Sequence, residues 1–147
     1  MIGAGGAANA IVLALKELGA KVFVTNRTFP KAKKLAKKFK VKTIKKSEAE
    51  KEEFYLIANA TPMGMGPLKE KLPCTRKLIE KAHLVYESIY NPVETEFLKE
   101  ARRNNCRCIT GIDMLLEQGY KAFELFTDKK APEKEMRKAI EKEIKKN

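Results

Sequence analysis

The chain has one histidine and three cysteines, and that scarcity removes two kinds of chemistry at the outset. His83 heads an apolar run with no catalytic companion near it in sequence, and reads as a structural residue at a strand start. Cys74, Cys106 and Cys108 are odd in number and lack the spacing of a zinc knuckle. Cys106 and Cys108 alternate along one expected strand, so they share a face, as reduced core thiols do. No metal is expected. No apolar run is long enough to span a bilayer and no signal-peptide pattern opens the chain, so the expected location is cytoplasmic. Internal repeats, low-complexity tracts and interdomain linkers are missing too, and 147 residues allow one domain with its own core.

Nor does any aromatic platform or DNA-reading pattern accompany the formal charge of +12. The lysines run along helix faces, as at Lys31, Lys33, Lys34, Lys37 and Lys38, and near the end at Lys142, Lys145 and Lys146. They alternate with apolar positions or Glu, the pattern of solvated amphipathic helices. Their field would steer anionic small molecules, and nucleic acid is not an expected partner.

What is present begins at once. Met1 and Ile2 are followed by Gly3-Ala4-Gly5-Gly6-Ala7-Ala8, in which Gly3, Gly5 and Ala8 fit the G-x-G-x-x-G/A spacing of a dinucleotide-binding turn. Gly3 allows the tight bend, Gly5 lets backbone approach a pyrophosphate, and Ala8 keeps the next helix close to the sheet. The phosphates then meet unpaired N–H groups at a helix N-terminus. Ala7, Ala10, Ile11, Ala14, Leu15 and Leu18 supply that helix and Gly19 stops it. The strand that should precede the turn is reduced to Met1-Ile2. Read alone, such a pattern also suits a plain helix-start turn.

A second absence narrows the reading. About twenty residues past the glycines, where an NAD enzyme places a carboxylate on the ribose 2′-hydroxyl, the chain has Asn26-Arg27-Thr28. A carboxylate would repel a 2′-phosphate, whereas a guanidinium pairs with one through two charge-assisted bonds and stacks on adenine. Asn26 and Thr28 add neutral hydrogen-bonding groups and Lys31 adds charge, so NADP is the expected cofactor. The competing reading is a polar strand-end loop with a solvated arginine.

Further along, a strand is expected at 21–25, a helix from Pro30 to Phe39 and a short strand at 41–44. One or two polar helical turns at 47–53 and a buried strand at 54–58 follow. The stretch Asn59 to Pro67 is too rich in Gly and Pro for regular structure. Then come a helix at 75–81, a strand at 84–89, a helix at 94–104 with Asn105 as a left-handed cap, and a strand at 106–110. A helix from about Met114 to Phe126 and a terminal basic helix from about Pro132 close the chain. The alternation predicts an α/β fold, a Rossmann-type doubly wound parallel sheet with flanking helices and a truncated first strand. Residues 1–147 form one cofactor-binding domain, with its C-terminal helices from about 113.

The segments GAGGAANAI, VTNRTFPKA, NATPMGM, IYNPVET and GIDMLLEQGYKAFEL, in this order, resemble the C-terminal half of shikimate dehydrogenases over nearly the whole chain. The resemblance implies an NADP-binding half that works with an N-terminal domain holding shikimate and a Lys–Asp pair for proton transfer. It places Gly3, Ala4, Gly5, Gly6 and Ala7 at the pyrophosphate, and Asn26, Arg27, Thr28 and Lys31 at the adenosine 2′-phosphate. Asn59, Thr61 and Ser88 fall on the nicotinamide side, Gly111 approaches the cofactor with its backbone, and Tyr90 and Gln118 lie at the substrate. The implied reaction is reversible, NADP-dependent reduction of 3-dehydroshikimate to shikimate in aromatic amino acid biosynthesis, with a homodimer admissible for the full-length protein.

Three departures stand out. Asn9 replaces a basic residue common after the turn, and Glu87-Ser88 stands where the family usually has Asp and an apolar residue. The third is the missing N-terminal domain and first strand. A truncated central strand leaves its neighbours with unpaired edges, so the chain alone is expected to be marginally stable, or Met1 is not the true start. No catalytic acid–base residue is expected here. A non-catalytic NADP-binding module or truncated pseudoenzyme, and a dehydrogenase for quinate or another cyclic hydroxy acid, stay open. A nucleic-acid binder would need steep salt-dependent affinity indifferent to NADPH.

Overall fold

The computed structural model describes residues 1–144, so Lys145 and Lys146 lie outside the described residues. Helix α1 (Gly6–Glu17) turns Ala8 and Val12 fully inward, and Gly19, at φ 77°, ends it as expected. Strand β1 (Phe23–Val24) leads to α2 (Phe29–Phe39), which has Pro30 in its first turn, Ala32, Leu35 and Ala36 inward, and Lys40 in the left-handed conformation after its end. Strand β2 (Lys42–Thr43), helix α3 (Lys46–Ala49) and strand β3 (Leu56–Asn59) follow. The chain continues through α4 (Arg76–Glu80), β4 (Leu84–Glu87), α5 (Glu96–Arg103), β5 (Arg107–Ile109), α6 (Gly111–Thr127) and α7 (Glu133–Ile144).

All strand pairs are parallel. β1 pairs β2, and β3-β4-β5 form a second sheet in register Ile57↔Val85↔Cys108. Between the two sheets lies the expected strand stub. Ile2 bridges Thr25 on one side and Asn59 on the other. Four backbone bonds make the join: Ile2 N to Ala58 O and Ala60 N to Ile2 O at 2.8 Å, Gly3 N to Thr25 O and Thr25 N to Met1 O at 2.9 Å. The order across is therefore β2-β1-Ile2-β3-β4-β5, the doubly wound arrangement with its reversal at Ile2. The expectation of unpaired neighbouring edges is corrected at this level, because Met1, Ile2 and Gly3 supply ladder bonds to both sides. Near the stub, Phe23 and Phe54 meet edge-to-face, with ring centroids 5.8 Å apart.

Apolar side chains pack both faces. Val12 of α1 and Leu35 of α2 pack with Val22 and Val24, while Ile79 of α4 and Phe97 and Leu98 of α5 pack with Ile57 and Val85. A third cluster of Leu116, Tyr120 and Ala131 joins α6 to α7. Cys106 is buried, its thiol donating to Ala82 O at 2.9 Å, and Cys108 packs against the same core. His83 is exposed, its ring 5.5 Å from that of Tyr55. No helix among the described residues is long and apolar enough to cross a membrane.

Strands and short helices come out a few residues shorter or shifted, as at Phe23–Val24, Lys46–Ala49 and Leu56–Asn59, and two differences bear on the site. The Gly/Pro-rich stretch contains one 3-10 turn, Gly66–Leu68. α6 starts three residues early, at Gly111, because Thr110 and Asp113 form a reciprocal cap: Thr110 N donates to Asp113 Oδ2 at 3.0 Å and Asp113 N to Thr110 Oγ1 at 3.4 Å.

Candidate functional site

The reversal of strand order puts a crevice above Ile2, and the glycine turn lies on its floor. Gly3 has φ 115°, and a Cβ added there would lie 2.6 Å from Ala60 O. Only glycine lets the turn pass this close to β3. Gly5 then caps α1 with no side chain, and α1 has no acidic residue in its first turn. Around Gly5 and Gly6 the space where a Cβ would point is open for 4 Å. The first-turn amides of α1, at its positive end, thus lack a side-chain acceptor and face accessible space.

Opposite the turn stands the loop after β1. Gly3, Ala4, Gly5, Asn26, Arg27, Thr28, Lys31 and Thr61 line one cleft of about 250 Å3. Asn26 Nδ2 donates to Thr28 O at 3.0 Å, which tightens the loop, while Thr28 precedes α2 without using its hydroxyl as a cap. Among the described residues no carboxylate pairs with Arg27 or Lys31, since every ion pair lies elsewhere. A cleft with three cations outside every ion pair of the described residues, Arg27, Lys31 and Lys46, and a capless helix start is built for an anion. Gly6 and Ala7 are exposed in the first turn of α1 beside the cleft.

Asn59 does not face this space. It is fully buried at the end of β3, with Nδ2 donating to Met63 O and to both oxygens of Glu87 at 3.0–3.1 Å. Its Oδ1 accepts from Thr61 N at 3.0 Å and Thr61 Oγ1 at 2.7 Å. With both ends of its amide engaged, Asn59 braces the loop that presents Thr61, instead of offering its own side chain outward. Glu87, fully buried on β4, is the other half of the brace and accepts from Thr95 Oγ1 at 3.0 Å and Ile89 N at 3.1 Å. Desolvation pushes the Glu87 carboxyl above the usual range, opposed by the bonds from Ile89, Asn59, Thr95 and Ser88.

A second, wider cleft begins where the first ends. Ala60, Thr61 and Pro62 line both, and Ser88, Ile89, Tyr90 and Asn91 form its far wall. A cis peptide joins Asn91 to Pro92 there. Tyr90 is about half exposed. Gly111 is buried with its Cβ direction filled by the Ile89 carbonyl, which locks the start of α6 against this wall. Gln118 is exposed on α6 and lines neither cleft. The structure thus gathers Gly3, Ala4, Gly5, Asn26, Arg27, Thr28, Lys31 and Thr61 at one end, and Ser88 and Tyr90 at the other.

Sequence reasoning missed Lys46 and Pro73 in the first cleft. Lys46 opens α3 directly after β2, so its place past the end of a parallel strand was a usable signal. No sequence pattern marks Pro73.

Residues 1–61 match the description "Shikimate / quinate 5-dehydrogenase", and residues 111–141 match "Shikimate 5'-dehydrogenase C-terminal domain". The chain belongs to the shikimate dehydrogenase family. It corresponds to the C-terminal half of these proteins. Shikimate dehydrogenase (NADP(+)) from Archaeoglobus fulgidus is 35% identical over 86% of this chain and 49% of its own length. The Thermus thermophilus shikimate 5-dehydrogenase, solved in complex with NADP(H) and shikimate, superposes with a TM-score of 0.85 at 33% identity, covering 96% of this chain and 53% of that one. Quinate dehydrogenase from Corynebacterium glutamicum, solved with NAD, gives 0.84 at 31%, over 93% of this chain and 52% of that one. The chain spans about half the length of the curated relatives it matches.

Proposed function

We propose that this chain is the NADP-binding half of a cytoplasmic NADP-dependent shikimate dehydrogenase, an oxidoreductase of aromatic amino acid biosynthesis. The observation that carries the reading is the pair of unneutralised cations, Arg27 and Lys31, across a cleft from a capless glycine turn. The amides of Gly5, Gly6 and Ala7 hold the pyrophosphate at the start of α1, with Gly3 and Ala4 setting the bend. Asn26, Arg27, Thr28 and Lys31 hold the adenosine 2′-phosphate, and Arg27 does so with its planar fork of donors.

When bound, NADP supplies or accepts the hydride exchanged with a ring carbon of shikimate or 3-dehydroshikimate. Thr61 and Ser88 border its nicotinamide end, Gly111 contributes backbone, and Asn59 keeps the Thr61 loop in place through Glu87. Tyr90 and Gln118 are the residues this half offers the substrate. The proton that accompanies the hydride is assigned to the half of the relatives that this chain does not span. The likeness to a quinate dehydrogenase supports a second reading, in which the substrate is another cyclic hydroxy acid. Arg27 supports NADP as the cofactor in either case.

Fluorescence titration with NADPH and NADH tests the cofactor assignment. A hydrogen bond to a charged group contributes about 1.5–3 kcal/mol, so NADPH is expected to bind at least tenfold tighter than NADH. Arg27→Asp should narrow or reverse that ratio. Equal affinities for the two cofactors in both proteins would overturn it.

A further inference from the structure

We propose that Lys38, anchored by Asn9, is a further cation of the adenosine 2′-phosphate seat, reached through a third cleft that extends the Arg27 site along α2. This rests on the NADP reading above and adds to it a residue that the glycine turn and the Asn26–Lys31 loop do not contain.

Lys31, Lys34 and Lys38 stand at helical spacing and form one stripe of α2. Together with Ala4 and Asn9 they line a cleft of about 380 Å3, and Ala4 and Lys31 belong to the first cleft as well. Ala4 and Lys31 thus form the wall between the two spaces. Lys38 Nζ donates to Asn9 Oδ1 at 2.9 Å, and Asn9 Nδ2 donates to Gly5 O at 2.8 Å. One amide therefore ties an ammonium from α2 to the residue that caps α1. An exposed lysine normally samples many rotamers, and this one is held at the phosphate turn.

Charge balance points the same way. Residues 1–47 hold 12 of the 31 Lys and Arg but 1 of the 19 Asp and Glu, which puts +11 of the net +12 in this segment. No carboxylate pairs with Lys31, Lys34 or Lys38 among the described residues. Adjacent ammonium groups on one helix face repel one another, and a phosphate monoester dianion entering the cleft relieves that repulsion. A nicotinamide dinucleotide without the 2′-phosphate brings no dianion to this side.

Calorimetry on the full chain, with 2′,5′-ADP and 5′-AMP as probes, separates the possibilities. Lys38→Met should weaken 2′,5′-ADP about five- to tenfold and weaken 5′-AMP, which brings only the phosphate of the glycine turn, clearly less. Asn9→Ala should produce a smaller loss in the same direction, and Lys38→Arg should retain most of the affinity. Lys33→Met removes the same charge from α2 outside the cleft, and should have less effect than Lys38→Met. Equal losses from Lys33→Met and Lys38→Met, or none from Lys38→Met, would overturn the proposal. If Arg27→Asp abolishes the 2′,5′-ADP preference while Lys38→Met does not alter it, this proposal fails and the NADP reading stands. If the unmodified chain shows no preference for 2′,5′-ADP, the NADP reading fails as well.

Discussion

Alanine at Gly3 meets two obstacles at once. The backbone there sits at φ 115°, a conformation open to glycine and strained for any residue with a Cβ, at a cost of about 1–3 kcal/mol. The new methyl also lies 2.6 Å from Ala60 O and 2.8 Å from Ala60 C. Ala60 cannot retreat freely. Its own N–H is bonded to Ile2 O at 2.8 Å, and the loop that follows is braced by Asn59. Forcing the two backbones apart adds an overpacking cost of about 1–3 kcal/mol. Together, about 2–6 kcal/mol is a large part of a usual stability of about 5–15 kcal/mol. Urea unfolding followed by circular dichroism should show the midpoint falling at unchanged slope, with NADPH affinity falling alongside because the turn has moved. Gly6→Ala is the matched control, since nothing lies within 4 Å of its Cβ direction and its stability should change by less than about 1 kcal/mol. Equal stability of the two variants would refute the reasoning about the close approach to β3.

Two further outcomes follow from titrating groups. Desolvation pulls the Asp113 carboxyl upward, but bonds from Thr110 and the charge of Arg137 outweigh it and hold the group below its usual 3.8. A depressed carboxyl stabilises the fold above its unfolded value and loses that contribution as pH falls through its folded value. Unfolding midpoints should therefore drop below about pH 4, and Asp113→Asn should flatten part of that decline; identical profiles for the two proteins would contradict it. Burial pushes the Cys74 thiol up to about 12 and raises Cys106 and Cys108 as well. A thiol-specific disulfide reagent at pH 8 should react slowly with the folded chain and fast with all three cysteines in denaturant, and rapid reaction of the folded protein would count against the burial described.

Much of the fold was legible because its signals are local. The apolar spacing from Ala7 to Leu18, Pro30 at the start of α2 and Asn105 after α5 each fix a boundary by short-range sterics, and each lies where the structure has it. The early start of α6 was written in the Thr110–Asp113 pair, which the apolar periodicity beginning at Met114 obscured. Two features depend on distant partners and left no local mark. Ile2 works as a central strand only because Thr25 and Asn59 lie on either side of it. Asn59 reads as a loop-end polar residue, and its inward turn becomes visible only with Glu87 on β4, 28 residues away. The glycine turn and Arg27 were legible as a cofactor signature, since spacing and charge suffice for both. Lys46 carried only its place past the end of β2 as a signal, and Lys38 reads as one more lysine of a solvated helix until Asn9 on α1 is seen to hold it.

The most direct measurement is a diffraction experiment on crystals of this chain grown with NADP. The account predicts the diphosphate against the amides of Gly5, Gly6 and Ala7, and the 2′-phosphate within hydrogen-bonding distance of the Arg27 guanidinium. Nucleotide bound elsewhere, or a 2′-phosphate turned to solvent with Arg27 uninvolved, would contradict it.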